Sequence, residues 1–445
     1  MGRGSTRSNG GLPADRPELL MADYKPLYTP AEAVLEAERC LYCSDAPCIQ
    51  ACPTGIDIPV FIKRIAQGNL RGAAHAILDA NILGYSCARV CPVEVLCVGA
   101  CVYNPWKRPP IQIGKLQRYA VEAVWDRAGT LFERHPPNGK RVALVGAGPA
   151  SLAAGARLAL AGCEAVLFEK RPVAGGLNTT GVAPYKMHAH DALREVELVE
   201  SLGVEIRTGV EVGKDIPHEA LLAGYDAVFL GVGLGADGML GVPGENGPGV
   251  VGATAWIERM KNTPAALDGA PRSALVVGGG NTAMDVLQEL RELEVGSVTL
   301  VYRRGSEAMS GYPHEFDRAR RLGARALFDR VPLEVLRDAD GVTGLRVAEA
   351  KGGKAVPGTE EILPADLIVL AVGQAKFKDW VTRFPGVEVD ARGRVAADPE
   401  TGRTANPKVY AGGDCRNGGM EVVNAVAEGK RAAEAMLADL LEGEP

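Results

Sequence analysis

The sequence predicts an α/β protein in which a helical, cysteine-rich module precedes two Rossmann-like dinucleotide-binding domains. Eight of the ten cysteines lie between positions 40 and 101. Beyond them, a strand, a glycine-rich loop, a helix and a second strand occur twice, about 130 residues apart. A buried strand that leads into a glycine-rich turn and a helix is typical of a dinucleotide site. The repeat therefore predicts two dinucleotide-binding domains in one chain.

Length and composition define the broad class of protein. A chain of 445 residues has room for about three domains, and 47% apolar with 23% charged residues is ordinary globular composition. The formal net charge of −6 argues against nucleic acid or anionic lipid as the main partner. No apolar run approaches the ~18 residues of a membrane span, and the N-terminal residues lack the apolar core of a secretory signal. We therefore expect a cytoplasmic protein with reduced cysteines.

The clustered cysteines form two runs with iron–sulfur spacing. Successive cysteines are separated by 2, 4 and 3 residues in the first run and by 3, 5 and 3 in the second. Thiolates are the usual protein ligands of such clusters, and the last cysteine of a run can bind the neighbouring cluster. Two zinc sites are the alternative, but these normally present well-separated Cys-x2-Cys halves. The spacing favours iron–sulfur clusters, and the candidate ligands are Cys40, Cys43, Cys48, Cys52, Cys87, Cys91, Cys97 and Cys101.

A helical module is predicted around these cysteines. A proline followed by good helix formers indicates a helix that begins at Pro30. Helical apolar periodicity continues through residues 60–65 and 73–78. The proline- and glycine-containing stretch at 135–140 is typical of a linker. From Arg141 onward strands and helices alternate, which is typical of α/β domains.

The first dinucleotide motif follows a short strand at 142–145 and has the sequence Gly-Ala-Gly-Pro-Ala-Ser. Gly146 and Gly148 let the backbone turn tightly and approach a pyrophosphate, to which the next helix offers its N-terminal amides. Ser151 stands where a third glycine is common and is small enough for close packing of helix on strand. Glu169 ends the following strand, where a carboxylate accepts hydrogen bonds from ribose hydroxyls.

The second dinucleotide motif begins at Gly278 and has Gly280 as its second glycine. Its second strand ends at Arg303 and Arg304 rather than at a carboxylate. Arginine at that position accommodates a 2′-phosphate, which favours NADPH over NADH. The alternative is a pair of solvated surface arginines.

The order of these parts resembles the glutamate synthase small-subunit superfamily, which includes the NAD(P)H-oxidising FAD/iron–sulfur subunit of dihydropyrimidine dehydrogenase. The resemblance extends from about residue 30 to the C-terminus. It is closest to the pyrimidine branch at 39–48, at Ser151 and in the motif Ile-x-Ile-Gly-Lys-Leu-Gln that ends at Gln117. It implies FAD at the first motif, NADPH or NADH at the second, and two [4Fe-4S] clusters. It also implies that the NAD(P)H domain is inserted in the FAD domain.

The same resemblance divides the cluster ligands between two sites. Cys87 would be a non-ligand, whereas the spacing alone would assign all eight cysteines and leave Gln117 on the surface. One cluster would be held by Cys40, Cys43, Cys48 and Cys101, and the other by Cys52, Cys91, Cys97 and Gln117.

Roles around the nucleotides are implied in the same way. Lys186 would lie beside the flavin, where the family often has arginine. Ser310 stands where a family arginine supports the 2′-phosphate, so the preference for NADPH over NADH stays open. The residues expected at FAD are Gly146, Gly148, Pro149, Ala150, Ser151, Glu169, Lys170, Gly176, Leu177, Lys186, Gly413 and Asp414. Those expected at NADPH are Gly278, Gly280, Asn281, Thr282, Arg303 and Arg304.

The expected organisation has five segments. They are a flexible tail at 1–30, a helical [4Fe-4S] domain at 31–135, a first part of the FAD domain at 136–250, an NAD(P)H domain at 251–370 and a second part of the FAD domain at 371–445.

The resemblance implies an electron-input subunit. Hydride would pass from NAD(P)H to FAD, and electrons would leave through the clusters to an FMN-containing catalytic subunit of a dihydropyrimidine dehydrogenase. A glutamate synthase small subunit and a non-catalytic electron-transfer or scaffold module stay open as alternatives. Hydride transfer needs no acid–base side chain, so no catalytic residue is assigned.

Overall fold

The computed structural model of the protein describes residues 12–263 and 271–441. The chain divides into two compact units, each assembled from separate stretches. No helix among the described residues has the length and apolar character needed to cross a membrane. The smaller unit comprises Met1–Ala22, Thr180–His188 and Gly235–Ala375. The larger unit comprises Asp23–Thr179, Ala189–Leu234 and Lys376–Pro445.

The cysteine-rich part of the larger unit is helical, which confirms the prediction. Its helices are α1 (Pro30–Glu38), α2 (Pro47–Gln50), α3 (Ile58–Ala66), α4 (Leu70–Ala80), α5 (Gly84–Val90) and α6 (Ile113–Glu122), followed by a 3₁₀ helix at Trp125–Leu131. Thr29 and Glu32 form a capping box at the start of α1, in which each side chain accepts from the other residue's backbone N–H. Asp57 and Asn69 cap α3 and α4 by accepting from backbone amides. Polar caps and buried apolar faces together explain why these short segments are helical.

An α/β layer follows the helical part along the chain. Its elements are β1 (Arg141–Val145), α7 (Pro149–Leu160), β2 (Glu164–Glu169), α8 (Leu177–Thr180), α9 (Ala189–Ser201), β3 (Glu205–Thr208), α10 (His218–Gly224) and β4 (Ala227–Leu230). β1 lies parallel between β2 and β4, with Val145 opposite Phe168 and Leu230. β1, β2 and β4 are buried on both faces, as is typical of parallel sheets, whereas the edge strand β3 is largely exposed.

The smaller unit contains a second parallel sheet. Its helices and strands are β5 (Val250–Gly252), α11 (Ala253–Asn262), β6 (Ser273–Val277), α12 (Asn281–Glu292), β7 (Ser297–Val301), α13 (Pro313–Arg321), β8 (Arg325–Leu327), β9 (Arg330–Arg337), β10 (Val342–Lys351), β11 (Lys354–Ala355), β12 (Glu361–Pro364) and β13 (Leu367–Leu370). The parallel sheet has the order β5-β13-β6-β7-β8, and β9 to β12 form an antiparallel sheet. This antiparallel sheet was not predicted from the sequence.

The chain then completes the first sheet. The remaining elements are α14 (Lys378–Val381), β14 (Val409–Ala411), α15 (Asp414–Asn417) and α16 (Val422–Leu441). β14 pairs with β4, which gives the sheet order β14-β4-β1-β2-β3. Because β5 to β13 come between β4 and β14, the second Rossmann-like fold is inserted in the first, which confirms the predicted fold class.

The N-terminal segment has one short ordered element among its described residues. Pro17–Leu20 forms a 3₁₀ helix, and Glu18 is fully buried in an ion pair with Arg16 at 2.8 Å. Residues 1–11 lie outside the described residues. The flexible tail at 1–30 and the other segment boundaries stay predictions.

Candidate functional site

The first glycine-rich loop lies at the carboxyl end of β1 in the larger unit. Gly146 has a φ of +89°, and a Cβ there would lie 2.6 Å from the carbonyl oxygen of Gly231, so only glycine fits. A Cβ on Gly176 would lie 2.7 Å from the Cα of Gly148, so two backbone segments pass very close to each other. Gly148 is the N-cap of α7 and provides no side-chain cap. The loop therefore presents the N-terminus of α7 to an anionic group.

Glu169 and Ser151 have surroundings that suit their expected roles. The buried Glu169 carboxylate accepts from the backbone N–H groups of Ala147 and Arg171, each at 2.9 Å. These bonds hold the carboxylate beside the loop. Ser151 is fully buried, and a Cβ on Gly231 would lie 2.1 Å from its Oγ. A larger residue at 151 would therefore collide with the backbone that follows β4.

The C-terminal segment returns to the same loop. Gly413 has a φ of +74°, and a Cβ there would lie 3.0 Å from the Cβ of Ala150. A Cβ on Gly429 of α16 would lie 2.0 Å from the carbonyl oxygen of Ala150, so α16 packs directly on the start of α7. Burial raises the pKa of Asp414 to about 6. The loop at 146–151 and the segment around Gly413 therefore meet at the N-terminus of α7.

Three further residues expected at FAD lie along this sheet edge or at its loops. Pro149 is the first residue of α7, and Leu177 begins α8 directly after Gly176. Lys170 follows β2 and is exposed, with its Nζ 5.1 Å from the centroid of the Phe377 ring. Because β1 and β2 are parallel, Lys170 follows its strand at the same edge of the sheet as the glycine loop.

The second glycine-rich loop has similar geometry in the smaller unit. Gly278 has a φ of +142°, and a Cβ there would lie 2.2 Å from the carbonyl oxygen of Ala371. Gly280 is the N-cap of α12 and provides no side-chain cap. Asn281 and Thr282 form the first turn of α12, where helix amides can bind phosphate.

The two arginines follow β7 beside this loop. Arg303 and Arg304 are both exposed, and the Arg304 guanidinium lies 5.4 Å from the centroid of the Tyr302 ring. That ring covers Gly279, where a Cβ would lie 2.5 Å from it. The backbone N–H of Ser310 donates to the Gly279 carbonyl at 3.1 Å, so Ser310 also lies against the loop.

Lys186 lies in the smaller unit and is buried. Its Nζ is 2.7 Å from the Asp285 carboxylate on α12 and 2.6 Å from the Glu315 carboxylate on α13. The Tyr185 hydroxyl donates to Asp285 at 2.9 Å. Burial raises the pKa of Asp285, and Lys186 opposes that shift. Two carboxylates thus bind the amine, and its expected place beside the flavin stays a prediction.

The first cysteine group lines a cavity in the larger unit. Cys40, Cys43, Cys48 and Cys101 all contribute to its wall, together with apolar side chains such as Ile62. Burial raises the pKa of Cys48 to about 11, and Cys40 and Cys101 raise it further. Closely spaced thiols in an apolar wall become thiolates when they bind a metal cluster. These are the four cysteines that the resemblance assigns to one cluster.

The second cysteine group surrounds Cys91. A hydrogen bond with Cys87 raises the pKa of Cys91, as do burial and the nearby Cys97 and Cys52. Burial raises the pKa of Cys97 to about 12, with the largest contribution from a neighbour coming from Cys52. Four thiols therefore lie together here, and Cys87 is one of them.

Gln117 is a buried residue of α6, not a surface residue. Its Nε2 donates to the Gly84 carbonyl at 2.6 Å. Because that bond uses the amide nitrogen, the side-chain oxygen is the atom that could bind iron. Cys87 and Gln117 both stay candidates for the fourth ligand of the second cluster.

The residues present fit both kinds of cofactor. Two groups of thiols suit two four-iron clusters, and two loops in which a Cβ would collide with backbone suit close approach of a pyrophosphate.

Sequence reasoning missed Glu428, which accepts from the Gly413 backbone N–H at 2.8 Å and pairs with Arg416 at 2.6 Å. Nothing in the local sequence around Glu428 signals this role, because its partners lie in another segment.

The chain matches two protein families. Residues 19–128 match the family described as dihydropyrimidine dehydrogenase domain II, 4Fe-4S cluster. Residues 140–429 match the family described as pyridine nucleotide-disulphide oxidoreductase.

Individual relatives cover nearly the whole chain. The glutamate synthase [NADPH] small chain of Halomonas elongata is 36% identical over 438 residues, which is 93% of this chain and 92% of that protein. The NAD-dependent dihydropyrimidine dehydrogenase subunit PreT of Escherichia coli O157:H7 is 34% identical over 412 residues, 92% of this chain and 95% of that protein. Among solved structures, T. acidophilum thioredoxin reductase has a TM-score of 0.54 at 23% identity and covers 67% of this chain and 98% of its own. That likeness shows the fold alone.

Proposed function

Because the chain belongs to the pyridine nucleotide-disulphide oxidoreductase family, we propose that it oxidises NAD(P)H at FAD and passes electrons through two [4Fe-4S] clusters to a partner subunit. The partner we propose is the FMN-containing catalytic subunit of a dihydropyrimidine dehydrogenase. The observation that supports this most directly is the presence, in one chain, of two cysteine groups and two glycine-rich loops at helix N-termini.

In this reaction the residues of the larger unit bind and orient the flavin. The N-terminus of α7 holds the pyrophosphate, and the Glu169 carboxylate accepts from ribose hydroxyls. Gly413, where a Cβ would lie only 3.0 Å from the Ala150 Cβ, lets the cofactor chain pass close to the backbone. When bound, FAD supplies hydride acceptance and single-electron release.

The electron path out of the flavin would use two neighbouring clusters. Cys48 of the first group is close enough to Cys97 of the second to raise its pKa. The two sites are therefore adjacent in the larger unit, which suits electron transfer between them. The proposed ligands are Cys40, Cys43, Cys48 and Cys101 for one cluster, and Cys52, Cys91, Cys97 and Gln117 for the other.

Two observations support the dihydropyrimidine dehydrogenase branch. The cysteine-rich part matches the dihydropyrimidine dehydrogenase family over residues 19–128. Gln117 is also buried, and its amide nitrogen is bonded to Gly84, the first residue of the helix that contains Cys87. The second candidate is a glutamate synthase small subunit, which is favoured by the relative that is 36% identical.

An affinity purification under anaerobic conditions distinguishes the two partners. The bound chain is identified by mass, and the complex is assayed with uracil or thymine and with glutamine. We expect an FMN-containing companion and NAD(P)H-dependent reduction of a pyrimidine. A larger companion that hydrolyses glutamine would instead establish the glutamate synthase subunit.

A scaffold without turnover is the remaining alternative. The purified chain, with its cofactors, is mixed with NADPH or NADH and an artificial dye acceptor. The proposed function requires dye reduction by the chain alone, since both nucleotide loops and both cluster sites are in it. A chain that holds FAD and clusters but reduces no dye would be a scaffold.

A further inference from the structure

Glu195 caps a helix from a distant part of the sequence. It lies on α9 and is 1% exposed. Its carboxylate accepts from the backbone N–H groups of Tyr85 at 2.9 Å and Ser86 at 3.0 Å, and from the Ser86 hydroxyl. These donors are at the start of α5, whose own N-cap residue, Leu83, provides no side-chain cap. Glu195 therefore supplies the missing cap of α5.

The capped helix leads to the second cysteine group. Cys87 lies within α5, and Cys91 is its C-cap residue. All seven residues of α5 are buried, and the helix packs against α6, α9 and α16. The bonds from Glu195 add a fixed point at the end of α5 opposite Cys91.

The hydrogen-bond network around Glu195 also includes a residue of α8, the segment expected beside the flavin. The Asn178 Nδ2 donates to the Ser86 Oγ at 3.0 Å. Asn178 is the second residue of α8, directly after Gly176 and Leu177, which are expected at FAD. One buried polar network thus connects the segment beside the flavin, through Ser86 and Glu195, to the helix that leads to Cys91.

The charge of Glu195 depends on its burial, on its hydrogen bonds and on a neighbouring carboxylate. Burial raises the pKa of the Glu195 carboxyl to about 8, although its hydrogen bonds with Ser86 and Tyr85 oppose the shift. Asp191, one turn earlier on α9, raises the pKa further. Further charged or titratable groups lie on α9 and around it. They are Tyr85, Cys87 and Arg89 of α5, Arg118 and Glu122 of α6, Asp126 and Arg127, Arg157 of α7, and His190, Arg194, Glu197 and Glu200 of α9.

Most of these neighbouring charges are already paired. Arg89 lies 3.4 Å from Asp191 and 3.4 Å from Asp23. Arg194 lies 3.6 Å from Glu122. The Glu195 carboxylate is bound instead by the Tyr85 and Ser86 backbone N–H groups and the Ser86 hydroxyl, at a helix N-terminus that favours negative charge.

We propose that Glu195 is a positioning residue for the second cluster, which holds α5 in place and sets the reduction potential of that cluster by binding or releasing one proton. The inference rests on the proposed iron–sulfur function. When an electron enters the cluster, the added negative charge favours the neutral carboxyl, so the Glu195 carboxylate takes up a proton from water. One electron and at most one proton enter together.

The test is a redox titration of the holoprotein, monitored by electron paramagnetic resonance, at pH values on both sides of 8. In the unchanged protein, the potential of one cluster falls as the pH rises through this region, because a carboxylate disfavours a further electron. Glu195→Gln removes this fall and keeps the potential at its low-pH level. Glu197→Gln, an exposed site on the same helix with the same change of charge, keeps the fall.

A second variant keeps the proposal falsifiable if Glu195→Gln does not fold. Ser86→Ala removes one donor to the Glu195 carboxylate, and losing a donor to a charged group raises its pKa. The midpoint of the potential–pH curve therefore moves to higher pH, while the flavin absorbance stays. Curves that coincide for the unchanged protein and the variants would overturn the inference. Absence of cluster signals from the unchanged protein would instead overturn the proposed function.

Discussion

Arg303 and Arg304 are the residues on which we expect the choice of nicotinamide coenzyme to depend. Both are exposed beside the second glycine loop, and Ser310 adds no charge there. Replacing both with alanine raises the KM for NADPH by about 10- to 100-fold, because a hydrogen bond to a charged group contributes roughly 1.5–3 kcal/mol. The KM for NADH stays within about twofold in the same steady-state assay. Arg321→Ala, on the exposed end of α13, is the control, and equal effects on both coenzymes would contradict the assignment.

Substitutions at Gln117 and at Cys87 identify the fourth ligand of the second cluster. Gln117→Ala changes the spectrum of one cluster and leaves FAD in place, because the glutamine belongs to the cysteine-rich part and not to the flavin loop. Cys87→Ala leaves both cluster spectra unchanged, since Cys87 is a non-ligand in this assignment. Low-temperature electron paramagnetic resonance of the reduced protein measures both. The reverse pattern would make Cys87 the ligand and Gln117 only a hydrogen-bond donor to Gly84.

At the scale of elements, the flavin site depends on how closely the loops before α7 and α8 approach. A Cβ on Gly176 would lie 2.7 Å from the Cα of Gly148. Gly176→Ala therefore forces the two loops apart, and the purified variant loses most of its flavin absorbance. Gly209→Ala is the matched control, because Gly209 also has a positive φ but a Cβ there meets nothing within 4 Å. The Gly209→Ala substitution costs only backbone strain, about 1–2 kcal/mol. Complete loss of flavin from this control would contradict the explanation.

At the scale of the whole molecule, a buried acid makes the folding stability depend on pH. Glu289 on α12 is fully buried, and neither of its carboxyl oxygens has a hydrogen-bond partner among residues 12–263 and 271–441. Burial raises the pKa of Glu289 well above its usual 4.5. An acid that binds its proton more tightly when folded stabilises the protein at low pH, and this stability is lost as the pH rises above the unfolded pKa.

Glu289→Gln therefore reduces the fall in Tm as the pH rises from about 5 towards 8, because glutamine resembles the neutral carboxyl and does not titrate. Thermal denaturation across this range measures the effect. Glu294→Gln, at an exposed position two residues beyond the end of the same helix, leaves the pH dependence unchanged. A profile for Glu289→Gln that is parallel to that of the unchanged protein would mean that Glu289 is ionised in the folded state.

Local features of the sequence predicted much of this molecule. The capped helices α1, α3 and α4, both strand–loop–helix motifs and the change to α/β structure at Arg141 follow from residues close together in the chain. Helix periodicity, caps and glycine turns are short-range effects, so they can be recognised without knowing the fold. Resemblance added the insertion of one Rossmann-like fold in the other, and the pairing of β14 with β4 confirms it.

Tertiary structure decided which distant side chains share a site. Sequence reasoning did not find the antiparallel sheet β9 to β12, the capping of α5 by Glu195, or the two carboxylates that bind Lys186. Each of these depends on segments that are brought together only when the chain folds. A single carboxylate on an amphipathic helix carries no local sign of the amide or amine it will meet, because its partner and its burial are set by packing rather than by its neighbours in sequence.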